Sequence, residues 1–164
     1  MNEHNLSGKV AVVTGAGKGL GKAMALALGA AGASIALAAR NVEQLSDVRQ
    51  AVENAGGRAE VFQADVLEED QIRKLERDVT AAFSDVHVLI NNAGINLRKQ
   101  LVDFTLEEWR QVVDTNLTSV FLMCRSFVAP ILWTTPFRMS QALSLKCSRT
   151  ALAASTKGKR RTLI

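Results

Sequence analysis

No tyrosine occurs anywhere in this sequence, and there are only two histidines, two cysteines and two prolines. The first absence removes any phenolic proton donor. His4 and His87 stand in no Ser/His/Asp or Cys/His spacing, so triad-type nucleophilic catalysis is not expected either. Cys124 and Cys147 form no C-x-x-C pair and no metal-ligand spacing; no metal site is expected, and the two read as reduced thiols of a cytoplasmic protein. No stretch reaches the roughly 18 uninterrupted apolar residues of a membrane helix. The longest apolar segment, Ala23–Ala39, is broken by Gly29, Gly32 and Ser34, so no membrane partner is expected. Met1–Asn5 carries no basic region ahead of an apolar run, and no secretory signal is read there.

Acidic residues are also missing, but only from one end. Residues 1–130 hold 13 Lys/Arg and all 16 Asp/Glu, a net −3, whereas residues 131–164 hold 7 Lys/Arg and no acid. The overall charge of +4 therefore belongs to the tail. Residues 157–161 place four cations in five positions, but aromatic residues interleave only as Trp133 and Phe137. That is too few for a nucleic-acid surface, and no such partner is expected. A chain of 164 residues suffices for one domain with a core. The organisation read here is a domain over 1–130 and an atypical basic tail over 131–164.

Up to about residue 130, short β-type runs alternate with helix-period segments. Lys9–Val13, Ser34–Ala39, Ala59–Ala64 and His87–Asn91 read as strands. Leu20–Ala30 and Glu68–Phe83 read as helices, the latter with Ile72, Leu75 and Val79 inward. Asn41 is placed to cap a helix, with Gln44 as its reciprocal partner and Gly56-Gly57 as its stop. Thr105 and Glu108 form a second box, opening a helix that runs through Trp109, Val112, Val113, Leu117, Val120 and Phe121. The alternation predicts parallel strands with right-handed crossovers: an α/β, Rossmann-type, doubly wound sheet of order 3-2-1-4, incomplete in its second half. Beyond Pro130 the pattern weakens; Leu143–Leu152 is a poor helix candidate.

Thr14-Gly15-Ala16-Gly17-Lys18-Gly19-Leu20-Gly21 follows the first strand and opens the first helix. Glycines there let the chain turn sharply and approach a pyrophosphate, while free N–H groups at the helix start face the anion. Dinucleotide binding is the reading for Gly15, Gly17, Lys18, Gly19, Leu20 and Gly21. Ala39 ends the second strand where an NAD site needs an acid, and Arg40 follows it. Two cations, Lys18 and Arg40, with no acid suit a ribose 2′-phosphate, so NADP(H) is the expected cofactor.

The glycine spacing resembles the T-G-x-x-x-G-x-G motif of short-chain dehydrogenases/reductases. Asn91-Asn92-Ala93-Gly94 matches that family's N-N-A-G, and Asp65-Val66 its adenine-contacting pair. Asn116, in Asp114–Ser119, matches the helix asparagine of its catalytic tetrad, which holds a water in a proton relay. From the residues alone, Asn116 reads equally well as a partly exposed helix asparagine. Likewise Asp65 reads as a helix cap, with Glu68 completing its box. The resemblance covers about residues 5–130. Ile95, Arg98-Lys99 and the Asp114–Ser119 run look most like the gluconate 5-dehydrogenase branch.

The resemblance implies NADP(H)-dependent exchange between a secondary alcohol and a ketone, by a full-length parent that is a homo-oligomer. It also implies a serine, a tyrosine and, four residues later, a lysine. Ser140, Ser144 and Ser148 are present without a Tyr-x-x-x-Lys behind them. Ala154–Lys157 echoes the family's segment, with Leu152 or Ala153 near the tyrosine's place. The chain is therefore expected to be inactive alone. The alternatives are a module that binds NADP(H) without catalysis and a protein whose basic tail mediates an interaction. Loss of acids, tyrosine and strand pattern together is also what an out-of-frame read produces.

Overall fold

A computed structural model describes residues 5–133. Expectations for the tail, including Ser140, Ser144, Ser148, Lys157 and the weak helix, lie outside those residues. Four strands, β1 (Val10–Thr14), β2 (Ser34–Ala39), β3 (Arg58–Gln63) and β4 (Val88–Ile90), form one parallel sheet in the order β3-β2-β1-β4. Helix α1 (Gly19–Ala30) follows β1, α2 (Val42–Asn54) follows β2 and α3 (Glu69–Phe83) follows β3. This is the doubly wound topology that the strand–helix alternation predicts. Strand limits differ from the sequence reading by one residue, as strand ends commonly do.

The period-2 geometry of β1 and β2 sorts their side chains onto two faces. Ala11, Val13, Ile35 and Leu37 join Ala25 of α1 and Leu45, Val48 and Val52 of α2 in one core. Val12, Ala36 and Ala38 join Ile72, Leu75 and Val79 of α3 in the other. Met123 and Phe127 complete that second layer. They come from α5 (Ser119–Trp133), which continues from α4 (Leu106–Val113) through a π-helical turn, Asp114–Thr118.

Three local expectations need correction. Asn41 caps α2 by accepting the Gln44 N–H at 2.8 Å, but the Gln44 side chain lies against Gly17 instead of reaching back. Asp65 is not a helix cap, and Glu68 closes no box. Glu68 itself is the cap residue of α3, and Asp65 Oδ1 accepts the Leu67 N–H at 3.0 Å in a tight turn. The third correction concerns the single helix read through Trp109–Phe121, which the structure divides at the π turn. Leu117 is 67% exposed and Phe121 59%, while Thr115, Ser119, Met123 and Phe127 are buried. The π turn explains the shift, because it adds a residue and so rephases the face. Ser119 N–H reaches five residues back to Asp114 O, and the Ser119 hydroxyl donates at 2.5 Å to Thr115 O, the carbonyl thus bypassed.

α4 does open on the full Thr105/Glu108 capping box. By length and composition, Leu106–Ile131 is one helical stretch apolar enough to cross a membrane, although the sequence reading found no uninterrupted apolar run. Asp114 and Arg125 interrupt it, and its Met123 and Phe127 pack under the sheet.

Candidate functional site

The carboxyl ends of the parallel strands open into a cleft of about 480 Å³. Open α/β sheets bind ligands at this edge, where neighbouring strands send their connections to opposite faces. Here β1 leads to α1 on one face and β4 leads toward the other.

The floor is the turn from β1 into α1. Gly15 has φ +64, in the left-handed region, and a Cβ there would stand 2.9 Å from Asn92 Nδ2. A Cβ on Gly21 would overlap Gly15 O and stand 2.5 Å from the same nitrogen. These two glycines thus let the first turn of α1 press onto the β1 end and the Asn92 side chain. Lys18 is the α1 cap position, and no side chain caps the turn that follows. An uncapped helix start facing a cleft is suited to an anion.

The opposite wall is the chain after β4. Thr14 ties it down: its hydroxyl donates to Ile90 O at 3.2 Å and accepts the Asn92 and Ala93 N–H groups, each at 3.0 Å. Asn92 Nδ2 donates back to Thr14 O at 2.9 Å and to Gly15 O at 3.2 Å. The next residues are held from the π turn. Asn116 Oδ1 accepts the Ile95 N–H and its Nδ2 donates to Ile95 O, both at 2.8 Å. A Cβ on Gly94 would stand 3.0 Å from Asn116 Oδ1, so glycine is what admits that amide. Asn116 is exposed, as one of its two readings from the residues allows, yet both its polar atoms are engaged. Further along, Lys99 Nζ meets both Glu108 carboxylate oxygens, at 2.8 and 2.7 Å, clamping the loop to the start of α4. With the Thr105 N–H on the same carboxylate, Lys99 holds the Glu108 pKa below its ordinary value.

Gly15, Gly17, Lys18, Leu20, Gly21, Arg40, Asp65, Val66, Asn92, Ala93 and Gly94 all line this one cleft. Gly19 is not among the lining residues; its φ of +55 puts it in the left-handed region that the turn requires. Asn116 stays behind the wall, acting on it through Ile95. The sequence does not mark Thr14, Gln44, Gln111 and Thr115 as site residues; Gln44 enters it only as a capping partner. Thr14 was in plain view as the first letter of the glycine motif, but only the fold brings its hydroxyl to β4. The second-strand end, Ala39, supplies no carboxylate to the cleft.

A family model for short chain dehydrogenases matches residues 9–135. The 3beta-hydroxysteroid dehydrogenase 1 of Eggerthella lenta is 40% identical over 122 residues, covering 74% of this chain and 47% of that protein. A fatty acyl-CoA reductase of Acinetobacter baylyi is 41% identical over 95 residues, covering 58% and 32%. This chain therefore spans less than half the length of both relatives. Among solved structures, a short-chain type dehydrogenase/reductase from Mycobacterium marinum aligns with a TM-score of 0.76 at 36% identity, over 79% of this chain and 52% of that one. A metagenomic short-chain oxidoreductase in complex with NADP aligns with a TM-score of 0.73 at 39% identity, over 77% and 58%. The family's oxidoreductases use NAD(P)(H) on small-molecule substrates. A match that runs from the start of the sheet to the end of its last described helix places this chain in the short chain dehydrogenase family.

Proposed function

We propose that this chain binds NADP(H) in the cleft at the strand ends and, as it stands, performs no turnover. The observation that carries the reading is the pairing of a glycine-built anion cradle with Lys18 and Arg40 beside a second-strand end, Ala39, that lacks an acid. Gly15 and Gly21 leave the turn no room for side chains, and the uncapped start of α1 offers its N–H groups to a pyrophosphate. Arg40 and Lys18 take a 2′-phosphate, and Asp65 with Val66 contacts the adenine. Asn92, Ala93 and Gly94 form the wall toward the nicotinamide. Asn116 is a positioning residue that holds this wall through Ile95, and by the family resemblance it steadies a relay water. The bound nicotinamide supplies or accepts the hydride.

For the parent protein we propose oxidation of a secondary alcohol or reduction of a ketone. The proton at the substrate oxygen is what this chain does not provide, since none of its 164 residues is tyrosine. The parent is a homo-oligomer and cytoplasmic in this reading, which suits the exposed free thiol of Cys124. The relatives' names point to different substrates, a steroid and a fatty acyl-CoA. The gluconate-type substrate drawn from the sequence resemblance stays a proposal beside them.

Titration calorimetry with NADPH and NADH tests the cofactor assignment. One charge-assisted contact contributes roughly 1.5–3 kcal/mol, so NADPH is expected to bind about tenfold or more tightly. Ala39→Asp with Arg40→Leu is expected to reverse the order. Equal affinity for the two cofactors overturns the assignment.

A further inference from the structure

Among the described residues, the cleft is lined by two cations, Lys18 and Arg40, and by one acid, Asp65. The acid and one of the cations are already engaged with each other. Arg40 Nη1 lies 3.6 Å from Asp65 Oδ2, spanning from the end of β2 to the end of β3. The two partners are not equally free. Asp65 is fixed on three sides: Oδ1 accepts the Leu67 N–H at 3.0 Å, its own N–H donates to Gln71 Oε1 at 2.9 Å, and its carbonyl accepts the Glu68 N–H at 3.1 Å. Its side chain is 26% exposed. The Arg40 side chain is 73% exposed, and only the backbone of that residue is tied, its carbonyl accepting from Gln63 Nε2 at 3.1 Å. A fixed carboxylate therefore holds an exposed guanidinium, and the guanidinium must choose between that carboxylate and an incoming phosphate.

We infer that Asp65 is a specificity-determining residue: by holding Arg40, it limits how strongly the cleft prefers a nucleotide with a ribose 2′-phosphate over one without. This deepens the cofactor reading above and rests on it. An exposed ion pair at this distance is weak, so it moderates the preference without abolishing it. Both partners line the cleft, so the pair keeps Arg40 beside the site while competing with the phosphate contact.

The test uses the full chain with two adenosine probes that differ by one phosphate, adenosine 2′,5′-bisphosphate and adenosine 5′-monophosphate, titrated by calorimetry. Asp65→Asn keeps an oxygen for the Leu67 N–H and removes the charge. It is expected to raise the ratio of bisphosphate to monophosphate affinity about three- to fivefold, the scale of an exposed ion pair. Arg40→Gln is expected to lower the ratio, and adding Asp65→Asn to it is expected to change nothing further, as a double-mutant cycle requires of a residue acting through Arg40. If the Asn variant does not fold, Asp65→Ser retains a hydroxyl acceptor for the same turn. An unchanged or lowered ratio in the Asp65 variant overturns the inference while leaving the cofactor reading intact. So does a rise that persists without Arg40, which would mean direct repulsion of the phosphate by Asp65. A wild-type chain that binds both probes equally overturns the 2′-phosphate reading itself, and the inference with it.

Discussion

The two sides of the cleft are built by different means. On the β1–β2 side every residue of β1 is buried, the middle of β2 is buried, and α1 and α2 each set a glycine or branched aliphatic residue into the layer between. Gly29, for instance, leaves room for Val52, whose Cγ1 would stand 3.0 Å from a Cβ there. On the β4 side, all three strand residues are only half-buried and α4 buries none of its residues. That side is held by polar tethers: the Thr14 hydroxyl, the Asn116 amide, and the Lys99–Glu108 clamp. Leu101, Val102, Leu106 and Trp109 point outward along it. Close packing makes the glycine-turn floor a finished piece of the fold, whereas the opposite wall combines partial packing, with Leu89 and Ala93 against the second core, and polar tethers. Thr14 belongs to both, ending the buried strand and anchoring the loop.

The sharpest way to test this contrast is to supply what the second side lacks. Residues 1–130 joined to an intact second half from a short chain dehydrogenase are expected to reduce a small ketone with NADPH, followed by nicotinamide absorbance. The present chain is expected to give no rate above blank. A positioned general acid is worth roughly 10²–10⁴ in rate, the largest difference anticipated. A chimera that folds and binds NADPH but remains silent would place the fault within residues 1–130.

A smaller effect separates fit from backbone freedom on the packed side. Gly21→Ala drives a Cβ into Gly15 O and against Asn92 Nδ2, and neither neighbour is the loose end of a flexible side chain. The expected cost is about 1–3 kcal/mol, typical of overpacking, read as a lower urea midpoint with weakened NADPH binding. Gly19→Ala meets open space and strains only a φ of +55. It should cost about 1 kcal/mol. Equal losses for the two would mean that the floor is not closely packed.

Much of the packed side was legible in the sequence. Val10–Thr14 and Ser34–Ala39 are apolar runs bounded by glycine or polar turns, and their burial follows directly from composition. The glycine turn announces itself by spacing. The β4 side was legible only as motifs. Asn116 stood out, but its partner Ile95 lies 21 residues away, beyond any local pattern. A helical period through Leu117 and Phe121 assumes an unbroken helix, and the π turn at Asp114–Thr118 breaks the phase. The alternative reading of Asp65 as a cap rests on an acid standing just before a helix, but the cap position falls to Glu68. The turn bond of Asp65 to Leu67 is local, spanning two residues, but its contact with Arg40 arises only when β2 and β3 lie side by side.

The smallest expected effect lies at the seam between the two sides, where β1 and β4 begin. Val10 N–H donates to His87 Nδ1 at 3.2 Å, and His87 N–H donates to Val10 O at 2.9 Å. The ring must be neutral at Nδ1 to accept. Burial pushes the His87 pKa below its ordinary 6.5, Lys9 pushes it the same way, and Asp85 opposes them. Because the folded pKa is the lower one, the unfolded chain takes up the proton first as pH falls. The contribution of His87 is therefore complete above about pH 6.5 and is lost as pH drops through the folded value. The carboxylates of Glu69 and Glu108 are held below 4.5, so they do not titrate in this window. The urea midpoint should decline between pH 7.5 and about 5.5 by no more than the worth of one hydrogen bond, about 1 kcal/mol. His87→Asn places an acceptor that cannot ionise near the Nδ1 position, and its midpoint should stay flat across the same range. A parallel decline in both proteins would show that the seam is not held by the imidazole, and that β4 is fastened to β1 by its ladder and by Thr14 alone.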